Sequence, residues 1–391
     1  MDLEVFRELL TPAGQRVLLA AAALGPTEAG FLACFEKLRK HSPPALAKAA
    51  LDTVLLRQRA KAKFAAADRM YFTREALEQA SGDAVARYRA ARLAPFGTVA
   101  DLCCGIGGDT VAFAAAGLTV HAIELDPLRA AMAAANAAVL GVAERVTVHE
   151  ADALTVPLPD VRAAFADPNR RSDGKRHLDP EAYAPSLSAL RGRFPTGFPI
   201  GVKIAPGVNR GDVSALDAEA EFLSVGGEMK ECVLWLGPLR SAAWRATVLP
   251  AGATLSAAGE PPPTGAPTEV GEYVYDPDPA VVRAGLTGVL AEQLDLSPFD
   301  WQVATLTGPE VVRSPFVTAY RVEHSDRFHA GQLRDYLREH GVGRVTMVKR
   351  GSMLDADEVT RRLKLSGSEH RVVILTRVAG EQAVIVGNRV Q

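Results

Sequence analysis

Asp101 and Glu124 are acidic residues on either side of a glycine-rich turn at residues 105–108. Glycines allow a tight turn and let a ligand approach the backbone closely. Glu124 follows the first of these glycines by about 20 residues, the distance at which a doubly wound domain presents a carboxylate to ribose hydroxyls. The residue types and their spacing therefore predict a nucleoside-binding site.

The residues around the turn predict the elements that such a site needs. Residues 99–102 are apolar apart from Asp101 and predict a strand, and residues 109–116 predict the helix that follows the turn. Residues 118–124 predict a second strand with the acid at its tip. Asp126 then predicts an N-cap, with Pro127 at the first helical position of an alanine-rich helix. This alternation is typical of an α/β doubly wound sheet.

The spacing of the glycines separates the classes of nucleoside ligand. A dinucleotide-binding fold uses G-x-G-x-x-G, but counting from Gly105 places Thr110 where the third glycine belongs. A pyrophosphate site is therefore disfavoured, and a nicotinamide-dependent oxidoreductase is the least favoured interpretation.

A second group of candidate residues, Asp167-Pro168-Asn169-Arg170, follows an apolar stretch at residues 161–166. A fourth parallel strand there brings its carboxyl end to the ligand crevice. A carboxylate and a backbone carbonyl can accept the two N–H bonds of a planar amine, which aims the nitrogen lone pair at an electrophile. An arginine plane can stack on a base and neutralise phosphate. This chemistry needs no metal.

Composition limits the class of protein. The chain has 391 residues, 48% of them hydrophobic, and a formal net charge of -2. These values predict two or three domains with sizeable cores and exclude a uniformly basic nucleic-acid coat. The four cysteines form no C-x-x-C pair, which predicts reduced thiols and a cytoplasmic protein. No stretch predicts a leader peptide or a membrane span.

Helical periodicity near the start of the chain predicts an N-terminal helical domain at residues 1–70. The doubly wound α/β domain is expected at residues 71–252. Three further strands are predicted within it, the last of them at its end, at residues 199–204, 232–236 and 244–249.

The residues after the last of these strands predict a change of domain. The strand and helix pattern breaks at residues 252–271, and within them residues 259–267 are rich in Pro and Gly, lack periodicity and predict a linker or a long loop. A small α+β domain is expected at residues 270–391, beginning with one helix at residues 280–290 and ending in a hairpin.

Basic residues cluster at several places, and each cluster allows two interpretations. It is either a solvated surface or a contact for phosphate. Two clusters lie at residues 57–63 and 87–92. The candidates for RNA contact are Arg171, Lys175, Arg176, Lys349, Arg350, Arg361, Arg362 and Lys364. Two interpretations also apply to Glu228, Lys230 and Glu231, which are either site residues or part of a solvated turn, and we expect the turn.

The stretch from Asp101 to Gly108, followed by Glu124 and Asp152, resembles motifs I to III of class I S-adenosylmethionine-dependent methyltransferases. The resemblance implies a Rossmann-like sheet and S-adenosylmethionine as the cofactor. It also implies that Asp101 borders the methionine part, Glu124 holds the ribose and Asp152 faces the adenine amine. The implied cofactor-binding residues are Asp101, Cys103, Gly105, Gly107, Asp109, Thr110, Glu124, Leu125, Asp152 and Ala153.

The order of the domains resembles that of bacterial class I methyltransferases with a THUMP-like C-terminal domain, which implies an RNA substrate. The core is similar to trimethylguanosine synthase, the RNA-cap guanine-N2 methyltransferase, through its glycine motif and the Glu124-Leu125-Asp126-Pro127 step. In methyltransferases that act on exocyclic or amide nitrogens, the catalytic tetrapeptide is Asp, Asn or Ser, then two prolines, then an aromatic residue. Here Asn169 and Arg170 replace its last two residues.

These patterns together predict an S-adenosylmethionine-dependent methyltransferase that modifies a nitrogen of a base in structured RNA. The catalytic group would be Asp167, Pro168, Asn169 and Arg170. The departures at the last two residues favour an alternative, a protein that keeps the cofactor fold but acts as an RNA-binding or assembly factor. A methyltransferase for a small molecule or a protein is a third alternative, favoured if the basic clusters are scattered.

Overall fold

Helices occupy most of the chain before residue 94 in the computed structural model, which describes residues 1–172 and 175–390. Side-chain caps begin several of them, since Asp2, Thr11 and Thr73 each accept a backbone N–H of the first helical turn. These helices are α1 (Leu3–Leu10), α2 (Pro12–Ala23), α3 (Phe31–Leu38), α4 (Pro44–Ala60), α5 (Arg74–Gln79) and α6 (Asp83–Leu93).

The segment with Tyr71 and Phe72 links these helices to the rest of their unit. Both rings are buried in one apolar core with Phe6. The Asn136 side chain accepts the N–H of Tyr71 at 2.7 Å and donates to the carbonyls of Tyr71 at 3.1 Å and Ile106 at 2.8 Å. The two aromatic residues therefore act as packing residues of the core.

Residues 98–236 form a series of strands and helices, which alternate up to residue 150. They are β1 (Thr98–Leu102), α7 (Gly108–Ala115), β2 (Thr119–Glu124), α8 (Pro127–Val139), β3 (Val146–Glu150), β4 (Ala163–Ala166), β5 (Arg171–Ser172), β6 (Lys175–Arg176), α9 (Leu187–Gly192), β7 (Ile200–Ile204), α10 (Arg210–Ser214), β8 (Ala218–Val225) and β9 (Glu228–Leu236).

The chain divides into two compact units. The first comprises Met1–Ala218 and Glu231–Arg240, and the second comprises Glu219–Lys230 and the residues from Ser241 onward. The strand order in the first unit is β3-β2-β1-β4-β7-β9. β1 pairs in parallel with both β2 and β4, whereas β9 is antiparallel to β7. The predicted doubly wound sheet is confirmed, and its strand order reverses at β1, where such folds bind their ligands.

The second unit is built mainly on antiparallel strands. Its remaining elements are β10 (Trp244–Leu249), β11 (Ala253–Ala257), β12 (Tyr273–Pro277), α11 (Pro279–Ala284), α12 (Thr287–Leu294), β13 (Ser297–Pro298), β14 (Leu306–Gly308), β15 (Val317–Arg327), α13 (Ala330–Glu339), β16 (Val342–Lys349), α14 (Ala356–Leu363), β17 (Glu369–Val378) and β18 (Glu381–Arg389). No helix in the described residues has the length and apolar character needed to cross a bilayer.

The seven-stranded sheet of the second unit has the order β13-β14-β12-β15-β18-β17-β16. Alternate residues of β17 serve two cores because successive side chains in a strand point to opposite faces. Val373 packs in a core with Leu333 and Leu363 of α13 and α14, whereas Ile374 packs in another with Phe299. The predicted hairpin is confirmed by the antiparallel pairing of β17 with β18.

Two predictions about residues 244–290 were wrong. Residues 244–249 are not the last strand of their region, because β11 follows and pairs antiparallel with β10. The loop predicted at residues 259–267 contains neither helix nor strand. Only Leu255 of β11 is buried, so the alternation that marks a strand is weak there. The predicted single helix at residues 280–290 is two helices, because Gly285 adopts the left-handed conformation (φ 71°) that ends α11.

Candidate functional site

Asp101 lies near the end of β1, a central strand of the first unit's sheet. The glycine-rich turn follows this strand. The Asp101 carboxylate is buried and accepts the hydroxyl of Thr110 at 2.5 Å. The turn is left-handed at Cys103 (φ 59°), Gly105 (φ 58°) and Gly107 (φ 80°). A turn of this kind presents backbone groups to a ligand, as the glycine spacing predicted.

Glu124 holds the turn against the tip of β2. One carboxylate oxygen accepts the N–H of Gly105 at 2.8 Å, and the other accepts the N–H of Asp126 at 2.9 Å. Asp126 in turn caps α8 by accepting the N–H of Arg129 at 2.8 Å, which confirms the predicted N-cap. The structure thus brings together the acids and glycines that the sequence singles out.

Gly107 is constrained by packing as well as by its backbone angle. A Cβ atom on this residue would lie 3.1 Å from the Cβ and 3.2 Å from the Cα of Ala133. The turn can therefore sit directly on α8 only because residue 107 has no side chain.

The carboxylate and thiol groups around the turn lie in a desolvated region. Burial, with Asp109 nearby, raises the pKa of Asp101 well above its ordinary value. Burial also raises the pKa values of the Cys103 and Cys104 thiols, with further contributions from Glu124 and Asp101. Both cysteines are therefore neutral thiols at pH 7 and are not poised as nucleophiles.

Arg89 lies at the centre of a buried charge cluster that the sequence did not predict. Its guanidinium donates to both carboxylate oxygens of Asp109 at 2.6 Å and also contacts the Glu231 carboxylate. It donates to the Ser81 hydroxyl at 3.0 Å and lies 4.6 Å from the ring centre of Phe165. Although burial opposes the charged form, Asp109 and Glu231 raise the pKa of Arg89.

This cluster corrects two expectations. Arg89 is neither a solvated residue nor a phosphate contact, because its side chain is fully buried against carboxylates. Glu231 does not lie in a solvated turn but is buried within β9. Asp109, which the motif resemblance assigns to the cofactor, has both carboxylate oxygens on Arg89.

The implied adenine-side residues lie at the same edge of the sheet. The N–H of Ala151, just after β3, donates to the carbonyl of Glu124 at 3.0 Å. Asp152 follows with an exposed side chain that accepts the N–H of Leu154 at 2.9 Å. Leu125 is exposed and Ala153 is buried.

Asp167 follows β4 and lies beside the glycine-rich turn, since its N–H donates to the carbonyl of Leu102 at 3.1 Å. One of its carboxylate oxygens accepts the ammonium of Lys203 at 2.7 Å. Lys203 is only 4% exposed at its side chain, compared with 26% for Asp167. The same ammonium also donates to the Ser81 hydroxyl at 3.2 Å and to the Gln79 carbonyl at 3.4 Å.

The residues after Asp167 form a hydrogen-bonded segment. The N–H and the carbonyl of Asn169 pair with the carbonyl and the N–H of Ala184, each at 3.0 Å. Within the described residues, the Nη1 atom of Arg170 is buried without a hydrogen-bond partner. The candidate side chains of Arg171, Lys175 and Arg176 lie outside the part that the structure describes.

The candidate RNA-contact residues of the second unit differ in their pairing. The guanidinium of Arg350 donates to both carboxylate oxygens of Asp276 at 2.6 Å, and Arg362 pairs with Glu358 one helical turn away. Three further candidate side chains are exposed and form no ion pair within the described residues, namely Lys349, Arg361 and Lys364.

A relative of known class covers most of the chain. The chain is 34% identical over 338 residues to an uncharacterized S-adenosylmethionine-dependent methyltransferase of Mycobacterium tuberculosis. The matched region covers 84% of this chain and 92% of the relative. The chain belongs to the S-adenosylmethionine-dependent methyltransferases. The predicted enzyme class and cofactor are therefore confirmed.

Three family models match separate parts of the methyltransferase. A domain of unknown function (DUF8688) matches residues 2–60, the RNA cap guanine-N2 methyltransferase model matches residues 96–179, and the THUMP domain-like model matches residues 317–389. These matches confirm the resemblances drawn from the glycine motif and from the C-terminal region.

A solved structure shares the fold of the methyltransferase over nearly its whole length. It is a putative methyltransferase from Porphyromonas gingivalis W83, with a TM-score of 0.72, 20% identity and coverage of 94% of this chain and 100% of that one.

The residues around the turn fit S-adenosylmethionine. A buried carboxylate at Asp101 suits its cationic amino-acid part, and Glu124 stands at the tip of β2, where this fold places a ribose ligand. Among the described residues, no three His, Cys, Asp or Glu side chains are grouped as metal ligands would be.

Proposed function

We propose that this methyltransferase modifies a nitrogen of a base in structured RNA. The observation that carries the proposal is the carboxylate of Asp167 beside the glycine-rich turn. One of its oxygens accepts the Lys203 ammonium, and the other accepts no hydrogen bond from the described residues. A partly exposed carboxylate with a vacant acceptor suits a substrate that brings an N–H donor.

Asp167 and the Pro168 carbonyl would accept the two N–H bonds of a planar amine. Held this way, the nitrogen lone pair is directed out of conjugation with the ring and toward the electrophile. Bound S-adenosylmethionine supplies that electrophile as an activated methyl group. After the transfer the nitrogen loses one proton to Asp167 or to water. Asp167 thus acts by orienting the amine, and it is one of the two acceptors available to the proton.

Arg170 would hold the base or its phosphate. A buried N–H group without a partner is costly, and a ligand that accepts its hydrogen bond removes the cost. The Nη1 atom of Arg170 has no hydrogen-bond partner among the described residues, and Arg170 is the third residue after Asp167, so we assign a base oxygen or a phosphate of the substrate to it. This role replaces the stacking that an aromatic residue performs in the related tetrapeptide.

The remaining site residues have proposed roles in holding the cofactor. Asp101 would bind its amino-acid part, Glu124 the ribose hydroxyls and Asp152 the adenine amine. Cys103, Gly105 and Gly107 would supply the backbone of the turn. Asp109, Thr110, Leu125 and Ala153 would line or support the same cradle. We retain residues 1–70, 71–252 and 270–391 as the proposed domains.

The choice of RNA is supported by two of the matching models. The core matches the RNA cap guanine-N2 methyltransferase model, and the C-terminal region matches the THUMP domain-like model. The exposed cations Lys349, Arg361 and Lys364 add local positive charge in the second unit. The ion pairs of Arg350 and Arg362 remove some of that charge and favour the second candidate, a methyltransferase for a protein or small molecule.

The test measures the transfer of tritiated methyl groups to RNA extracted from a strain that lacks this protein. We expect label in the RNA fraction, and Asp167→Asn should lower the rate about 100-fold because an orienting acceptor is lost. Its affinity for S-adenosylmethionine, measured by titration calorimetry, should stay within about twofold of the wild type.

The control Asp160→Asn changes an exposed carboxylate of the same unit and should leave the rate unchanged. Label in a protein or metabolite fraction, with none in RNA, would support the second candidate. Binding of the cofactor without transfer to any fraction would support a non-catalytic RNA-binding role.

A further inference from the structure

Trp301 differs from the other tryptophans of the chain. Of its three tryptophans, Trp235 and Trp244 are buried, whereas Trp301 is 73% exposed. Tryptophan is highly buried on average, so an indole left largely in water is an informative exception. Exposed aromatic and apolar side chains that lie together mark binding surfaces.

The backbone that carries Trp301 is fixed on both sides. Phe299 is buried in a core of the second unit. The carboxylate of Asp300 is buried and accepts the N–H of Gln302 at 2.8 Å and the N–H of Gly380 at 2.7 Å. The indole is therefore presented to solvent by an anchored loop, which lowers the entropy cost of binding a ligand there.

A second exposed apolar residue lies on the loop that touches this one. Gly351 (φ 66°) packs against Val303 so closely that a Cβ at residue 351 would lie 2.8 Å from the Val303 Cγ2 atom. Met353, two residues further on, is 87% exposed. Ser352 between them is buried and donates to the Gln382 side chain at 2.7 Å, so this loop is also anchored.

Two basic residues directly precede the loop that contains Met353. Lys349 is exposed and forms no ion pair within the described residues. The guanidinium of Arg350 is held flat by its two hydrogen bonds to Asp276 and remains nearly half exposed. We call Trp301, Met353, Lys349 and Arg350 the indole patch.

We propose that the indole patch binds an unpaired nucleotide of RNA. The base stacks on the Trp301 indole, with the Met353 thioether beside it. The phosphate lies near the Lys349 ammonium, since the charge of the neighbouring Arg350 is already paired with Asp276. An aromatic plane with adjacent cations is the combination that single-stranded nucleic acids use, because every base offers a π-face and every nucleotide a negative charge. A neutral apolar partner that covered Lys349 would remove water from its ammonium without supplying an anion in exchange.

This inference rests on the proposed RNA substrate and adds a requirement for an unpaired segment in it. Trp301 lies outside residues 317–389, which the THUMP domain-like model matches. The proposed binding site therefore extends beyond the residues that this model matches and includes the loop before them.

The experiment uses the full chain and the intrinsic fluorescence of Trp301, which is the tryptophan most accessible to solvent. The probe is a single-stranded adenylate RNA decamer. Stacking should quench the exposed indole, and bound RNA should protect it from iodide. Trp301→Ala should weaken binding of a labelled decamer about tenfold by fluorescence anisotropy, because one base loses its stacking partner. Lys349→Gln should weaken it about threefold and reduce the salt dependence.

Val311→Ala is the matched control, since Val311 is another exposed apolar residue of the second unit, and it should bind like the wild type. Absence of quenching by the decamer, or unchanged binding by Trp301→Ala, would overturn the inference. So would equal binding of a ten-base-pair RNA duplex, or a blue shift caused by anionic vesicles or by self-association instead of by RNA.

The outcomes separate this inference from the proposed function. If RNA is methylated and Trp301→Ala binds the decamer normally, the proposed function stands and the indole patch does not. If the decamer quenches Trp301 but RNA accepts no methyl group, the indole patch stands and the proposed methylation of RNA fails.

Discussion

Substituting Arg89 with Met tests the buried charge cluster. Methionine retains much of the side chain's length but removes the guanidinium that contacts Asp109 and Glu231. Breaking a buried ion pair by removing one partner costs about 3–5 kcal/mol, because it leaves an uncompensated buried charge. Domains are stable by only about 5–15 kcal/mol, so Arg89→Met should remove a large share of the first unit's free energy of unfolding at pH 8.

The pH dependence of this loss identifies its cause. Burial raises the pKa of Asp109, and Arg89 opposes that rise. Without Arg89, the pKa of Asp109 rises further above its value in the unfolded chain. A group of this kind contributes stability below its unfolded pKa of about 4 and loses it as pH rises through the folded pKa. The deficit of Arg89→Met should therefore shrink as pH falls from 8 toward 5.

The assay is urea-dependent hydrogen exchange of peptides from β1 and β4, which reports on the first unit alone. Arg87→Met, at an exposed position of α6, is the matched control and should change the free energy of unfolding by less than about 0.5 kcal/mol. Replacing Asp109 and Glu231 with Asn and Gln in the Arg89→Met background should restore part of the loss. A loss below about 1 kcal/mol at pH 8, or one that does not change with pH, would refute the reasoning.

Three further predictions follow from the site. Burial raises the pKa of Asp101, so the fraction of ionised carboxylate, and with it the affinity for cationic S-adenosylmethionine, should rise with pH in the wild type. In titration calorimetry, Asp101→Asn should bind more weakly and show no such rise. Parallel pH profiles of the two proteins would contradict this. Lys203→Met should slow methyl transfer about 100-fold and leave the cofactor affinity unchanged, whereas Lys203→Arg should keep part of the rate. Equal rates in the wild type and both variants would exclude a role of Lys203 in positioning Asp167. Gly107→Ala should lower the free energy of unfolding by about 2–4 kcal/mol in urea, from backbone strain and the contact with Ala133, whereas Gly117→Ala should cost about 1–2 kcal/mol because only strain applies.

The parts of the fold that could be predicted are those with local signals. The glycine turn, the N-cap at Asp126 and the proline after it depend on residues a few positions apart, so the chain itself reveals them. The acid at the tip of β2 was also predictable, because strand and helix lengths fix how far it lies from the turn.

Buried charges could not be predicted in the same way. Arg89 and Glu231 are 142 residues apart, and each looks like an ordinary surface residue until the fold pairs them. Glu219 and Glu221 alternate with small residues in β8, yet both are buried, with Glu219 on Arg245 and Glu221 on Thr247. Charge by itself predicts exposure, and only a partner distant in the sequence reverses that prediction.

The sequence carries a weak indication that Lys203 is buried beside an anion. Lys203 is the single charged residue of the apolar strand β7, whose other residues are Ile200, Gly201, Val202 and Ile204. A lone cation in a strand buried on both faces requires a nearby anion. One of its two neighbouring strands in the sheet is β4, and Asp167 follows that strand directly. Strand order was needed to make this pairing, and strand order is not a local property.

The interruption of the first unit by residues 219–230 has a consequence for biosynthesis. When residues 1–218 have emerged from the ribosome, Arg89, Asp109 and Asp167 can fold, but β9, the strand that carries Glu231, has not yet emerged. In this nascent chain β7 would be an edge strand without its antiparallel neighbour β9. Arg89 would have Asp109 as a partner but not Glu231. The final folding of the cofactor domain therefore waits for translation past residue 240, and fragments cut at the end of the parallel strands should be prone to aggregation.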